Sequence, residues 1–313
     1  MELRNLGNSG LRVSLVGLGC NNFGLKLELE ETRAVVHAAL DAGITLFDTA
    51  DVYGNRGGSE TQLGKILGER RRSIVLATKF ALPMSDDGTK KGASRRYIMA
   101  AVEDSLIRLK TDYIDLYQQH TFDPRTPMEE TLRALEDLVR QGKVRYIGCS
   151  NLPAWQVVEA SWIARTNHIG NYVSCQDEYN LLNRKIEVDL LPVMARYGHS
   201  LLPYFPLASG LLTGKYKRDA MPQGARLTAT PKFANRVYLT DANWAVVDQL
   251  EAFARARDRS LLELAFGWLA SNPSIASVIA GATSPEQIKA NAAAVDWRLT
   301  AEELAEVDQI TAK

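Results

Sequence analysis

Eight short apolar runs alternate with longer amphipathic segments along the chain, and that alternation constrains the fold more than any other feature. The runs are Leu15–Leu18, Ile44–Asp48, Ile74–Lys79, Tyr113–His120, Val144–Ser150, Tyr172–Gln176, Ser200–Phe205 and Ile275–Ile279. Several are rich in Val, Ile and Tyr, as strands covered on both faces must be. Between them, Thr32–Ala42, Arg95–Leu109 and Met128–Gln141 repeat apolar residues at helical spacing. Gly43 and Gly142 suit left-handed caps after two of these helices. Ser94 precedes one as an N-cap, and Thr300–Glu303 has the capping-box spacing. Strand–helix alternation implies right-handed parallel crossovers. Eight such units predict a closed (β/α)₈ barrel, with an open doubly wound sheet as the structural alternative.

Two further segments fall outside the alternation. Glu2–Leu6 and Leu11–Ser14 flank the turn-rich Gly7-Asn8-Ser9-Gly10, which predicts an N-terminal hairpin closing the barrel bottom. Lys217–Tyr238 has little periodicity and contains Pro222, Gly224 and Pro231, the pattern of a functional loop. No linker divides the 313 residues, so one domain over residues 1–313 is expected.

Charge narrows the function. Lys plus Arg and Asp plus Glu number 37 each, which is not the basic excess of a nucleic-acid binder. No run is long and apolar enough for a membrane span, and the polar start does not resemble a signal peptide. Cys20, Cys149 and Cys175 form no CxxC pair, so neither a disulfide framework nor a zinc site is expected. Together these features predict a cytoplasmic protein without nucleic-acid or membrane partners. They leave the oligomeric state open.

Some motifs lead nowhere. Gly17 and Gly19 in VSLVGLGCNNFG resemble part of a dinucleotide fingerprint, but Asn22 stands where its third glycine should be, so they read as turn glycines. GLLTGKY (Gly210–Tyr216) is one residue too short for a phosphate-binding P-loop and lacks its hydroxyl residue. His37, His168 and His199 form no ligand pair at helical spacing, and no metal is expected.

In a barrel, functional groups gather at the C-terminal ends of the strands. Asp48, Lys79 and His120 end successive runs, and Tyr53 follows the first of them. A free tyrosine, with a pKa near ~10, is a weak acid at neutral pH. A nearby ammonium favours the phenolate, which Lys79 can supply, while Asp48 partners the buried lysine. His120 can hydrogen-bond a carbonyl. The four make a general acid beside an oxyanion site.

At these residues the chain resembles the aldo-keto reductases, nearly end to end. FDTADVYG, ATKF, QQH, IGCSN, QDEYNLL, YFPLASGLLTGKY and GATSPEQIKAN occur in the family's order. The opening RNLGNSGLRVSLVGLG is similar to the bacterial and channel-subunit-like branches. The resemblance implies a barrel that binds NADPH and passes hydride between nicotinamide and a carbonyl, with Tyr53 as acid, tuned by Lys79 and Asp48, and His120 orienting the carbonyl. It implies that Ser150, Asn151 and Gln176 bind the carboxamide and that Tyr204 stacks on the nicotinamide. The strip Phe205, Pro206, Leu207, Ser209, Gly210, Leu211 and Lys215 would follow the pyrophosphate, and Gly281, Thr283, Gln287 and Asn291 would surround the adenosine. Better-known reductases carry basic residues near the Gly281 and Gln287 positions, so recognition of the 2′-phosphate falls to Lys215 or Arg226. NADPH is expected in preference to NADH.

The same residues fit the physics of the ligand. Tyr204 offers a flat platform, the amides offer donors and acceptors, and Gly210, Gly214 and Lys215 offer open backbone and a cation. The expected substrate pocket includes Asn21, Phe23, Phe80 and Phe122. The phenylalanines point to an apolar or aromatic carbonyl, whereas Asn21 and Asn22 equally suit a hydroxylated one. Two alternatives to a reductase stand. One is a nucleotide-binding regulatory or sensor subunit like the channel-associated members; the other is a barrel enzyme for a phosphorylated substrate.

Overall fold

In a computed structural model, which describes residues 1–229 and 238–312, the alternation closes into a barrel. A hairpin of β1 (Leu3–Asn5) and β2 (Arg12–Ser14) pairs antiparallel. Eight parallel strands follow: β3 (Val16–Gly19), β4 (Leu46–Asp48), β5 (Val75–Phe80), β6 (Ile114–Gln119), β7 (Val144–Ser150), β8 (Ser174–Gln176), β9 (Ser200–Leu201) and β10 (Val278–Gly281). Each lies within or beside one of the eight apolar runs. β10 pairs with β3, so the sheet curls round. The gap between β9 and β10 is bridged by backbone bonds from Leu201 to the Ser274 carbonyl (2.8 Å), Ala276 to that of Leu201 (3.1 Å) and Ile279 to that of Pro203 (3.0 Å). This is a (β/α)₈ barrel, and the open sheet is excluded.

The helices on the outside include α1 (Leu29–Asp41), α2 (Tyr53–Ile66), α3 (Arg95–Leu109), α4 (Met128–Arg140), α5 (Ala154–Asn167), α6 (Leu190–Tyr197) and α7 (Arg226–Ala229). α1 begins earlier than its apolar pattern suggests, because Glu28 and Glu31 build a capping box. Ser94 accepts from the Tyr97 amide, Thr300 and Glu303 form the expected box, and Gly43 and Gly142 are left-handed. α2 has no clear apolar stripe, since its first turn is distorted and four of its fourteen residues are glycine. No helix among the described residues is long and apolar enough to cross a membrane.

Two apolar layers result. The outer one packs helices on strands. The inner one fills the barrel with Leu46, Val75, Ala77, Leu116, Leu202, Ala276 and Ile279. Leu6 and Val13 of the hairpin join this inner cluster, both fully buried. The hairpin is anchored at the N-terminal strand ends: Gly7 donates to Ser200 Oγ (2.7 Å), and Arg4 donates to the carbonyls of Ala270 (2.6 Å) and Ile275 (2.8 Å). Gly7 is left-handed, and a Cβ there would lie 2.2 Å from the Val173 oxygen, so only glycine lets the chain pass. With the bottom plugged, the opposite mouth is left for a site.

Candidate functional site at the C-terminal mouth

Strand register sets the floor of the mouth. Asp48 ends β4, and in β5 Lys79 pairs with Gln118 of β6. Lys79 Nζ donates to Asp48 Oδ2 (2.6 Å) and to the Thr49 carbonyl (2.9 Å). The other Asp48 oxygen accepts from Gln176 Nε2 (2.9 Å) and Gln118 Nε2 (3.1 Å). Lys79 is wholly buried and Asp48 nearly so. Such a pair tolerates burial because each ion is hydrogen-bonded to further groups besides the other. Burial alone would push the lysine pKa down, but Asp48 and Tyr53 reverse this, so Lys79 stays charged.

Tyr53 stands at the lip. Its ring meets that of His120 edge-on at 5.6 Å, and Lys79 Nζ lies 5.1 Å from its centroid. The sequence predicts that Lys79 lowers the phenol pKa. Lys79 does act in that direction, but burial outweighs it, and the tyrosine is held above its ordinary value. Burial, then the Lys79 charge, push His120 well below the ordinary histidine range, so its ring is neutral. Its Nδ1 is buried and has no partner among the described residues.

The turn after Tyr53 is unusual. Gly54, Asn55, Arg56 and Gly57 are all left-handed, at φ 67°, 57°, 66° and 111°. Two consecutive non-glycine residues in that region are uncommon and store strain, a feature of functional turns. A Cβ on Gly54 would stand 2.5 Å from the Phe23 carbonyl, so this turn lies flat against the β3–α1 loop. That contact brings Asn21 beside Tyr53. Behind the turn, Asp51 is buried and accepts from the Tyr97 hydroxyl at 3.3 Å. Burial and the nearby Glu60 charge raise its pKa to about 8 despite Arg108.

A cavity of about 890 Å³ runs from this floor along the mouth. Asp48, Tyr53 and His120 line one end, and Lys79 lies beneath. Ser150 donates to the Gln176 carbonyl (2.7 Å) and accepts from Asn151 Nδ2 (2.9 Å). Asn151 Oδ1 accepts from the Tyr204 hydroxyl (2.8 Å), which sets the Tyr204 ring beside these amides. The wall continues through Phe205, Pro206, Leu207, Ser209, Gly210 and Lys215 to Gly281, Thr283, Gln287 and Asn291. Phe205, Ala208, Ser209 and Gly210 are left-handed, which turns the backbone sharply along the wall.

Four expected residues stand elsewhere. Leu211 is fully buried in the outer layer because its side chain turns away from the wall. Phe23 and Phe80 are also fully buried, Phe80 against Tyr117 at 4.9 Å, since β5 alternates and its inward neighbour is Lys79. Phe122 packs edge-on against Trp155 at 5.8 Å and does not line the cavity. The Arg226 side chain and residues 230–237 of the irregular stretch lie outside the described residues. The residues Pro222–Ala225 do reach the cavity, as do Asn22 and Lys26. Gln118 was missed, although its strand parity with Lys79 was a readable signal.

A second cleft of about 620 Å³ opens on the other side of Tyr53, between Asn21, Leu25, Val52 and the Gly54–Arg56 turn. Tyr53 and Asn21 border both spaces. The geometry thus provides an elongated trough for one ligand, a cleft for another, and a proton donor where they meet.

The model of the aldo/keto reductase family matches residues 15–312. A probable voltage-gated potassium channel subunit beta of Oryza sativa subsp. japonica is 41% identical, over 95% of this chain and 92% of the relative. The L-glyceraldehyde 3-phosphate reductase of Escherichia coli K12 is 35% identical over 99% and 92%. The versiconal hemiacetal acetate reductase of Aspergillus parasiticus is 34% identical over 97% and 95%.

Proposed function

The chain belongs to the aldo/keto reductase family of oxidoreductases, and on that premise we propose that it reduces an aldehyde or ketone to an alcohol with NADPH, using Tyr53 as the general acid. The observation that carries this is a fully buried, charged lysine whose ammonium lies 5.1 Å from the ring of Tyr53, the tyrosine that borders both trough and cleft.

The trough fits a nicotinamide dinucleotide by its donor set. Ser150, Asn151 and Gln176 would hold the carboxamide against Tyr204. The left-handed Ser209–Gly210 segment and Lys215 would hold the pyrophosphate, and Thr283, Gln287 and Asn291 the adenosine. Lys215 and Arg226 would meet the 2′-phosphate. When bound, the cofactor supplies a hydride to the carbonyl carbon.

The chain's residues do the rest. His120, neutral, uses a ring nitrogen to fix the carbonyl oxygen beside Tyr53. The tyrosine passes its proton to that oxygen as negative charge develops, and Lys79 stabilises the phenolate left behind. Asp48, locked by Gln118 and Gln176, keeps the ammonium in place and charged. The phenol's raised pKa keeps the acid protonated throughout neutral pH.

The names of the relatives from rice and from Arabidopsis thaliana, 41% and 39% identical, favour a second reading, a nucleotide-binding subunit of a channel assembly. Mixing the protein with NADPH and a panel of aldehydes and ketones separates the two. Carbonyl-dependent loss of NADPH absorbance is expected. Tight NADPH binding without turnover of any carbonyl would favour the subunit.

A further inference from the structure

We propose that the cleft beside Tyr53 selects a short, hydroxylated aldehyde ending in an anion, phosphate or carboxylate, which Arg56 anchors. The inference rests on the reductase reading of the same mouth and adds the substrate class.

The aromatic residues that suggest an apolar substrate are absent from the cleft: Phe23 and Phe80 are buried and Phe122 packs on Trp155. Polar groups take their place. Asn21 and Asn55 line it with Arg56, and no carboxylate does among the described residues. Two amides offer donors and acceptors for hydroxyls. A guanidinium offers the forked donors that fit carboxylate and phosphate oxygens.

The backbone is arranged to present these groups. Asn55 and Arg56 directly follow Tyr53 in its left-handed turn, which Gly54 presses against the β3–α1 loop. Arg56 is paired with Asp86, yet the Asp86 side chain is 90% exposed and that of Arg56 42%. A carboxylate this exposed is well solvated alone, and water screens the pair, so a substrate anion can displace it at little cost. A carbonyl at Tyr53 would then be bound at one end by its reacting oxygen and at the other by its charge.

The test compares matched substrates with NADPH: glyceraldehyde 3-phosphate against glyceraldehyde for phosphate, and succinic semialdehyde against butanal for carboxylate. In the wild type, kcat/KM should favour at least one anion by about tenfold, chiefly through KM, as expected for a charged hydrogen-bonded contact. The arm showing the preference identifies the anion. Arg56→Gln should bring that ratio close to one, and Arg56→Lys should restore part of it. Asp86→Asn, which leaves the strained turn untouched, should raise it. Equal use of charged and neutral aldehydes, or a preference that survives Arg56→Gln, overturns the inference while leaving the reductase reading intact. No turnover of any carbonyl overturns both.

Discussion

The floor of the mouth and its outer wall are built by different means. On the floor, Asp48, Lys79, Gln118 and Gln176 occupy regular strands, which bring the other three within 3.1 Å of the Asp48 carboxylate. Along the wall, Phe205, Ala208, Ser209 and Gly210 take left-handed conformations, and Lys215 is exposed. The floor holds charge in a buried, hydrogen-bonded network, so changes there should alter the chemistry. The wall holds polar side chains near water, so changes there should alter affinity by smaller amounts.

The largest effect is expected at Lys79→Met. It leaves Asp48 buried without its counter-ion, and breaking such a pair costs about 3–5 kcal/mol. Chemical denaturation should show this loss, and reduction should be nearly abolished. Pairing it with Asp48→Asn should recover most of the stability and none of the activity. Recovery of both would make the pair merely structural.

Tyr53→Phe comes next. It removes the proposed acid and keeps the ring, so kcat should fall by about 10² or more while NADPH affinity stays near wild type. The pH profile sharpens this. An acid works only while protonated, and the pKa of Tyr53 is raised. The wild-type kcat for reduction should therefore stay level through neutral pH and fall only in the alkaline range. A fall between pH 6 and 8 would assign the proton to another group.

For the 2′-phosphate, Arg226→Ala should weaken NADPH by tens of fold and leave NADH nearly unchanged, the low end of the ~2–5 kcal/mol for truncating one partner of a charge pair. Titration by tryptophan fluorescence measures both. Equal loss for both cofactors would move Arg226 to the pyrophosphate or to a folding role, and no loss for either would leave Lys215 as the phosphate contact.

The smallest effect is at Asp51. Its folded pKa, about 8, lies above the usual carboxylate value, so folding takes up a proton there. That contribution is fully present below the unfolded pKa and is lost as pH rises through 8. Asp51→Asn removes the penalty and should raise Tm at pH 9 by about 2 °C, with less change at pH 5. An equal shift at both pH values would refute the titration.

Different parts of the molecule were legible for different reasons. All eight barrel strands were readable because doubly covered strands are continuous apolar runs, and strand ends then pointed to Asp48, Lys79 and His120. The turn after Tyr53 was not readable, because a left-handed run of Gly-Asn-Arg-Gly has no periodicity. Phe80 was misplaced although period two was enough to turn it away from the barrel once Lys79 faced inward. Phe23 gave no such signal, since a loop residue's direction depends on what its loop packs against. Gln118 was passed over because neighbouring Gln119 is chemically identical; only parity separates them, and Gln119 instead accepts from Tyr172 at 2.8 Å.

The most direct test follows the hydride itself. NADPH carrying deuterium at the transferring carbon is incubated with the wild-type protein and glyceraldehyde or butanal, and the alcohols are analysed by mass spectrometry. The proposed reaction predicts one deuterium on the former carbonyl carbon, formed at the rate of NADPH loss and suppressed about 10²-fold or more in Tyr53→Phe. Unlabelled alcohol, or label transfer undiminished by Tyr53→Phe, would contradict a mouth built for hydride transfer with Tyr53 as its acid.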